Sequence, residues 1–331
     1  MPAIRRTLIL LAAVALGAGI ARAAPGPETR PAATAGSSTP QRGIAVVASS
    51  IGREISAEEV VAVARACHLN VVAIDFAWIT YHWPRTDLKK VQGLCRELRK
   101  AHVEVVAIYR PRVLLPEEAA IHYAQDGEGR VAEDHLELCF AAEDSVLWAA
   151  GWGERILSSL ESVDRICLYN LRAACFCPRC RDYQGRTHIA KFFERCRGRW
   201  SRLCPSIQIG HVGIGDEYAD KLDFCWPFLP VNRFDDGAGW TSGDLAAIKR
   251  YQADHPKKRI TPFLKTFWED QTNNDSADVS RAMQECEKDQ LGYILWYYEW
   301  LFHAPEAHYD RKAIIGAMGG DWAKLSKYLA K

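Results

Sequence analysis

Three cysteines stand within six residues in the stretch CFCPRC, where Cys175, Cys177 and Cys180 form a C-x-C-x2-C pattern. Thiolates this close in sequence can converge on one tetrahedral zinc ion, with each sulfur about 2.3 Å from the metal. Two other chemistries use the same residues: a disulfide framework, in which the total of 11 cysteines leaves one over, and a redox-active pair. The short spacing favours zinc.

A second group of residues combines carboxylates with aromatic side chains, most densely in the stretches TFWED and LWYYEW. Sugar rings present flat C–H faces to aromatic rings, and their hydroxyls hydrogen-bond to polar groups. Two carboxyl groups cleave a glycosidic bond when they lie about 5 Å apart, with retention, or roughly 6.5–9.5 Å apart, with inversion. This composition therefore favours carbohydrate binding or glycoside hydrolysis.

The fold must position both groups, and the hydrophobic pattern indicates which fold it is. Apolar runs such as NVVAIDFAW and VEVVAIY alternate with amphipathic stretches such as TDLKKVQGLCRELRKAH, and eight predicted strands result, each followed by a helix except the fifth. Such alternation predicts a parallel sheet covered on both faces, and eight units over residues 43–331 predict an α/β fold of the (β/α)8 TIM barrel type. An open doubly wound sheet is the alternative, but ASSIGREIS after the first strand lacks the expected Gly-rich turn.

In a TIM barrel the functional side chains lie at the C-terminal ends of the strands and in the loops that follow. The predicted catalytic carboxylates at these positions are Glu299, Glu269 and Asp75. The predicted sugar-binding residues are Arg110, Tyr169, Asn170, His211, Trp226, Lys265, Trp268, Trp296 and Tyr298.

Glu299, at the end of the eighth strand, is predicted to be the most important of these carboxylates. An apolar surround of tryptophan and phenylalanine would raise its pKa toward that of a general acid. A purely structural salt bridge from Lys265 or Arg110 to Glu299 is the alternative.

The predicted fourth zinc ligand is Cys139 in LELCFAAED, because the loops after strands three and four are neighbours on the barrel rim. A cysteine upstream of CFCPRC, with that run just past the fourth strand, resembles the zinc site of the family 42 β-galactosidases and related barrel glycoside hydrolases, which carry a CYCxxC run there. The resemblance covers strand three to helix four. It implies that Cys139, Cys175, Cys177 and Cys180 hold a structural zinc that ties two rim loops together.

The sequence departs from that family where its catalytic glutamates are expected. The resemblance implies an Asn-Glu pair at the end of strand four, whereas this chain has Asn170 followed by Leu171. It also implies a nucleophilic glutamate at the end of strand seven, where FLKTFWED offers Glu269 only beyond the strand. The family's mechanism therefore cannot be transferred residue by residue.

Three functions stay open at this point. The first is a glycoside hydrolase that uses another carboxylate pair, drawn from Asp75, Glu269, Asp270 and Glu299. The second is a non-catalytic barrel that binds glycans after loss of the acid/base glutamate. The third is a hydrolase with a catalytic zinc, which is disfavoured because four thiolates leave no open position for water.

The charge balance restricts the class of partner. The chain of 331 residues has 42 basic and 41 acidic side chains, so it has no bulk charge to attract nucleic acid or an anionic membrane. A carbohydrate substrate or ligand is the predicted partner, and no nucleic acid is expected.

The N-terminus predicts export. Residues 1–23 have a basic start, an apolar middle and an Ala21-Arg22-Ala23 cleavage site, as in a secretory signal peptide, and residues 24–42 have the Pro, Ala, Ser and Thr content of a disordered tether. A retained anchor is the alternative, and Arg5-Arg6 loosely resembles a twin-arginine signal. No later apolar run reaches the ~20 residues that span a bilayer, so we expect a secreted or periplasmic protein with no membrane segment after cleavage.

Mature protein is expected to begin at or near Ala24, and limited proteolysis should trim the tether up to about Arg42 without unfolding the barrel. N-terminal sequencing of protein recovered from its native host measures the first residue. Recovery of the chain with Met1 intact would contradict signal cleavage.

Overall fold

The computed structural model describes residues 39–113, 123–131, 136–169, 171, 175–180, 186–231, 245–266, 276–304 and 309–329. Residues Gly36–Lys331 form one compact unit. The predicted signal peptide lies outside the described residues, as do Asn170, Trp268, Glu269 and Asp270. The first strand begins at Gln41, so the last two residues of the predicted tether belong to the barrel.

Twelve strands occur in the described part of the chain, and ten of them form one sheet in which all pairings are parallel. The strands are β1 Gln41–Val47, β2 Val71–Trp78, β3 Glu104–Arg110, β4 Arg112–Val113, β5 Leu136–Glu137, β6 Arg165–Tyr169, β7 Gln208–Val212, β8 Phe224–Cys225, β9 Phe228–Pro230, β10 Arg259–Ile260, β11 Phe263–Lys265 and β12 Gly292–Trp296. β4 and β5 pair with each other in a separate antiparallel ribbon.

Ten α-helices lie between or after the strands in the same described ranges. They are α1 Ala57–Ala66, α2 Ile79–His82, α3 Leu88–Lys100, α4 Glu143–Ser159, α5 Arg186–Trp200, α6 Leu245–Asp254, α7 Ser276–Lys288, α8 Tyr298–Phe302, α9 Arg311–Ala317 and α10 Trp322–Leu329. After the fifth barrel strand, β7, a 3₁₀ turn at Asp216–Lys221 stands in place of an α-helix, as the sequence predicted for the fifth strand. No helix of the described residues is long and apolar enough to cross a membrane.

The ring of strands closes through two interrupted strands. β8 and β9 are halves of one strand separated at Pro227, and β10 and β11 are halves of the next, separated at Pro262. Proline cannot donate a ladder hydrogen bond, but both proline carbonyls still accept one, from Phe263 N and Ile294 N respectively. β8 pairs with β7 and β10, while β9 pairs with β11, which pairs with β12, and β12 pairs with β1. The predicted TIM barrel is confirmed.

Local sequence explains the helices that cover the barrel. Ser56 caps the N-terminus of α1 by accepting a hydrogen bond from the Glu59 amide at 3.1 Å. In α3 the buried residues Val91, Leu94, Cys95 and Leu98 follow the helical period and pack in the layer between helices and strands. Helix identity therefore follows from capping and from one apolar face.

The barrel interior is filled unevenly. Small and branched side chains line the β1 to β3 side, whereas aromatic rings fill the other side, where Trp226 stacks on Phe263 with centroids 5.8 Å apart. Gly210 makes room for them, because a Cβ atom there would stand 2.2 Å from the Phe224 ring. At the N-terminal end Glu104 binds Arg165 at 3.0 Å. The interior is therefore a packed core and not a pore.

Candidate functional site

The carboxyl ends of the strands form what we call the mouth, defined by the side chains that point into the barrel there. Because strand side chains alternate, each member stands two residues beyond an interior core residue. The members and the core residues that precede them are Asp75 after Ala73, Arg110 after Ile108, Tyr169 after Cys167, Phe228 after Trp226, Lys265 after Phe263 and Trp296 after Ile294.

Three aromatic rings form the floor of the mouth. The Trp296 ring lies 5.3 Å from the Tyr169 ring and 5.1 Å from the Phe228 ring, both edge to face. Tyr169 and Phe228 are near parallel, with centroids 6.5 Å apart and planes 24° apart. Phe228 was not predicted, although its place two residues after Trp226 was the signal that could have found it.

Asp75 is held rigidly beside this floor. Only 1% of the residue is exposed, and the Trp296 indole Nε1 donates a hydrogen bond to Asp75 Oδ2 at 3.0 Å. The Tyr297 hydroxyl also hydrogen-bonds to Asp75, and burial raises the pKa of Tyr297 well above its usual value, with a further increase from the Asp75 charge. Tyr297 is a second residue that sequence reasoning missed, and it follows a cis peptide bond from Trp296.

Glu299 stands in the first turn of α8, directly after the mouth. Its Oε1 atom accepts a hydrogen bond from the Val47 amide at 2.8 Å, and its buried Oε2 atom has no hydrogen-bond partner among the described residues. Burial raises the pKa of Glu299 to about 8 against the lowering effect of the Val47 bond, and the Asp75 charge raises it further. Glu299 is therefore protonated at neutral pH, and the described part of the chain contains no ion pair from it to Lys265 or Arg110.

Two cations complete the mouth. Arg110 and Lys265 are each only 7% exposed. The guanidinium carbon of Arg110 lies 5.8 Å from the centroid of the Tyr169 ring, and Lys265 Nζ lies 5.8 Å from the centroid of the Phe228 ring. The two positive charges therefore stand beside the two near-parallel rings of the floor.

His211 does not reach the mouth, contrary to the predicted placement. Gly210 takes the inward position on β7, so the His211 side chain faces the helix layer, where it lies against Phe193 and Tyr218. The Tyr218 hydroxyl is 3.3 Å from His211 Nδ1, and burial lowers the pKa of His211 to about 4. A neutral, packed histidine is the result.

Trp226 and Tyr298 also lie away from the mouth. Trp226 points inward but one layer deeper, where its Nε1 donates to Gln41 Oε1 at 3.2 Å. Tyr298 opens α8 and turns outward, and its hydroxyl donates to Glu59 Oε1 at 2.6 Å. The mouth thus brings together Asp75, Arg110, Tyr169, Lys265 and Trp296 of the predicted residues, with Glu299 beside them; their roles stay predictions.

The four predicted cysteines converge on one point at the same end of the barrel. The Sγ atoms of Cys139, Cys175, Cys177 and Cys180 all lie within 4.8 Å of one another, and those of Cys177 and Cys180 stand 3.6 and 3.5 Å from that of Cys139. Four sulfurs around a tetrahedral metal with 2.3 Å bonds are about 3.8 Å apart. The four buried thiols can therefore hold a metal ion.

Hydrogen bonding at this cluster favours thiolate at one member. The Gln125 amide donates to Cys175 Sγ at 3.5 Å, and the Phe176 amide donates to the Gln125 carbonyl. These two hydrogen bonds join the loop after β3 to the loop after β6. The bond from Cys139 lowers the pKa of Cys175 to about 4 and correspondingly raises that of Cys139. A bound cation would stabilise this thiolate and favour loss of the protons from the other thiols.

All eleven cysteines lie in the described ranges and are buried, and no two of them form a disulfide, so the disulfide framework is not found. Six cysteines outside the cluster are ordinary buried residues in or beside the helices and strands: Cys67, Cys95, Cys167, Cys196, Cys225 and Cys286.

No protein-family model matches the sequence, and no curated protein matches it. Solved structures do resemble the fold. The β-galactosidase from the psychrophilic Marinomonas ef1 superposes with a TM-score of 0.60 at 10% identity, over 88% of this chain and 60% of that one. The hyperthermostable endo-1,4-β-D-mannanase from Thermotoga petrophila RKU-1 gives a TM-score of 0.51 at 9% identity, over 78% of this chain and 88% of that one.

The α-galactosidase from Lactobacillus brevis gives a TM-score of 0.50 at 10% identity, over 87% of this chain. This chain spans 41% of that protein's length. All three neighbours are glycoside hydrolases built on this barrel, and likeness at such identity shows the fold alone.

Proposed function

We propose that the chain is an exported barrel that acts on or binds carbohydrate at the mouth. Of these two functions, we propose glycoside hydrolysis first. The observation that carries the proposal is the buried carboxyl group of Glu299, whose pKa is raised to about 8, beside the fixed Asp75 at the edge of an aromatic floor. A pyranose ring would stack on Trp296 and Tyr169, and its hydroxyls would bond to the charged groups around them.

The two carboxyl groups supply complementary chemistry. Glycosidic cleavage needs one carboxylic acid that donates a proton to the leaving oxygen and one carboxylate that acts as base or nucleophile. Glu299 carries a proton at pH 7 because it is buried, and Asp75 serves as a hydrogen-bond acceptor for Trp296 and Tyr297. This division of roles supports Glu299 as the general acid and Asp75 as its partner.

The cysteine cluster is proposed to hold a structural zinc. Four thiolates would saturate a tetrahedral ion, which leaves no position for a reacting water, so the metal would join the loops after β3 and β6 and take no part in the reaction. The same four positions carry the resemblance to the family 42 β-galactosidases, and a distant relationship to that group is part of the proposal.

A non-catalytic glycan-binding barrel is the second candidate, and one observation favours it. Leu171 occupies the position where the acid/base glutamate of the family stands, and its side chain packs against the core between helices and strands. If this barrel has lost hydrolysis, the aromatic floor would still bind sugar rings.

Assays of glycoside turnover and of polysaccharide binding distinguish the two candidate functions. Purified protein is assayed against a panel of aryl glycosides, and its binding to galactan and mannan is measured by affinity electrophoresis. Hydrolysis of any glycoside, lost in Asp75→Asn but kept in the exposed control Asp87→Asn, supports catalysis. Binding without hydrolysis supports the second candidate, and absence of both overturns the proposed carbohydrate function.

A further inference from the structure

The helix that carries Glu299 depends on contacts outside itself for its placement. α8 has five residues, and helices shorter than about 12 residues are marginal in water without packing. Its buried side chains Leu301 and Phe302 anchor it in the apolar layer between helices and strands. On the mouth side the Val47 amide donates to Glu299 Oε1 at 2.8 Å. The direction of the Glu299 carboxyl group therefore depends on what fixes the rotation of α8.

On its outward side α8 is held at both ends by one buried carboxylate. Glu59 of α1 is 6% exposed, and its Oε1 atom accepts a hydrogen bond from the Tyr298 hydroxyl at 2.6 Å. The same oxygen lies 2.6 Å from His303 Nε2, which is the donor because a carboxylate oxygen accepts. Tyr298 is the first residue of α8 and His303 is its C-cap, so a single oxygen atom joins the two ends of the helix. Short hydrogen bonds to a charged oxygen are roughly twice as strong as neutral ones.

We infer that Glu59 is a positioning residue for Glu299. By binding both ends of α8 it fixes the rotation of the helix, and it thereby keeps the Glu299 carboxyl group buried at the mouth. The expected effect on turnover rests on the proposed glycoside hydrolysis. The placement of Glu299 can be measured without a substrate, so the two proposals can fail separately.

The burial that Glu59 maintains is the main cause of the high pKa of Glu299. Burial raises this pKa to about 8, against the lowering effect of the backbone amides that bond to the carboxyl group. The charged and titratable groups that act on it are Asp75 from β2, Glu54 from the turn before α1, and the hydroxyl groups of Tyr297 and Tyr298. If α8 rotates, water reaches the carboxyl group and its pKa falls toward the ordinary value of 4.5.

Substitutions separate the hydrogen bonds of Glu59 from its charge. Glu59→Leu removes the acceptor, and the double variant Tyr298→Phe with His303→Ala removes both donors, so α8 should loosen in each. Glu59→Gln removes the charge but keeps an acceptor oxygen, and it should hold α8 as the unmodified protein does. Glu58→Leu, at an exposed position of α1, is the matched control.

Carbon-13 NMR of protein labelled at its glutamate carboxyl groups measures the pH midpoint at which Glu299 titrates, and the absence of one signal from Glu299→Gln identifies it. We expect this midpoint to fall by at least about 1 pH unit in Glu59→Leu and in the double variant, because water reaches the carboxyl group. In Glu59→Gln and Glu58→Leu it should stay near 8.

Steady-state kinetics with the best aryl glycoside supply the second readout. In the two loosened variants kcat should fall about 10-fold while KM changes by less than about twofold, because a misplaced acid affects the chemical step more than binding. The loss of turnover with rising pH should begin at lower pH in these variants, and Glu59→Gln should restore both properties.

The outcomes distinguish a positioning role from a merely structural one. An unchanged Glu299 midpoint in folded Glu59→Leu and in the folded double variant overturns the inference. An equal fall in Glu59→Gln also overturns it, since the charge of Glu59 and not its hydrogen bonds would then be responsible. A lowered midpoint in the loosened variants of a protein that hydrolyses no glycoside supports the positioning role and overturns the proposed catalysis. If Glu59→Leu fails to fold, Tyr298→Phe alone, which keeps the buried ring, gives the same comparison.

Discussion

Glu299→Gln is expected to lower glycoside turnover by at least ~100-fold while sugar binding survives, which is the usual scale for loss of a general acid. The amide preserves the shape of the side chain and can still accept the hydrogen bond from the Val47 amide. Steady-state kinetics with the best aryl glycoside of the panel, together with calorimetry for the bound sugar, measure the two effects separately.

The pH dependence of turnover and of stability is a second test of Glu299. Because the pKa of Glu299 is raised to about 8, turnover by the unmodified protein should fall as the pH rises through 8 and the acid loses its proton. The raised pKa also favours the folded state below the ordinary pKa of 4.5, and this contribution is lost progressively as the pH rises toward 8. After allowance for solvent, the loss is on the order of 3 kcal/mol.

Thermal unfolding between pH 5 and pH 9 measures this loss, which Glu299→Gln should abolish. Glu58→Gln, at an exposed position of α1, is the control for both the turnover and the unfolding measurements and should behave as the unmodified protein does. Full activity of Glu299→Gln, or its outright unfolding, would contradict the assignment, and Asp75 with Glu269 would become the pair to test.

Cys177→Ser is expected to release zinc and to lower the midpoint of thermal unfolding by about 5 °C or more. The physical reason is that a four-thiolate site contributes its metal-binding free energy to folding, and loss of one ligand removes much of it. Elemental analysis of purified protein, expected to give one zinc per chain, and differential scanning calorimetry measure the two effects.

Substitutions at cysteines outside the cluster are the controls for this prediction. Cys67→Ser and Cys95→Ser place a hydroxyl in buried positions and should reduce stability, yet they should leave the metal content unchanged. Protein that contains no zinc and whose mass shows Cys175 or Cys177 in a disulfide would contradict the site.

The sequence was sufficient to predict the barrel and the cysteine cluster because both depend on local signals. Alternating apolar strands and amphipathic helices define the barrel, and the close spacing of three thiols, with a fourth on the next rim loop, defines the cluster. Side-chain direction was harder to predict. Side chains alternate along β7, so Gly210 faces inward and His211, one residue later, faces the helices.

The end of β12 shows why strand alternation alone could not choose between neighbouring tyrosines. The strand stops at Trp296 and α8 begins at Tyr298, so the period of two no longer applies there, and Tyr297 reaches Asp75 while Tyr298 turns toward Glu59. How far below the mouth Trp226 lies depends on the stagger of the strands around the barrel. The periodicity of the sequence gives no information about this stagger.

The two interrupted strands leave one side of the barrel with shorter hydrogen-bond ladders than the other. On the side from β1 to β7 each ladder pairs four to six residues, with one register shift between β2 and β3 after Asp75, whereas at the junction of β8 and β9 with β10 and β11 each ladder stops at a proline and restarts after two or three pairs. Amide protons along this junction should exchange with solvent sooner than those of β2 and β3, because fewer consecutive ladder bonds must open together. The mouth therefore joins the two sides, because Lys265 stands on the interrupted side and Arg110 on the side with the longer ladders.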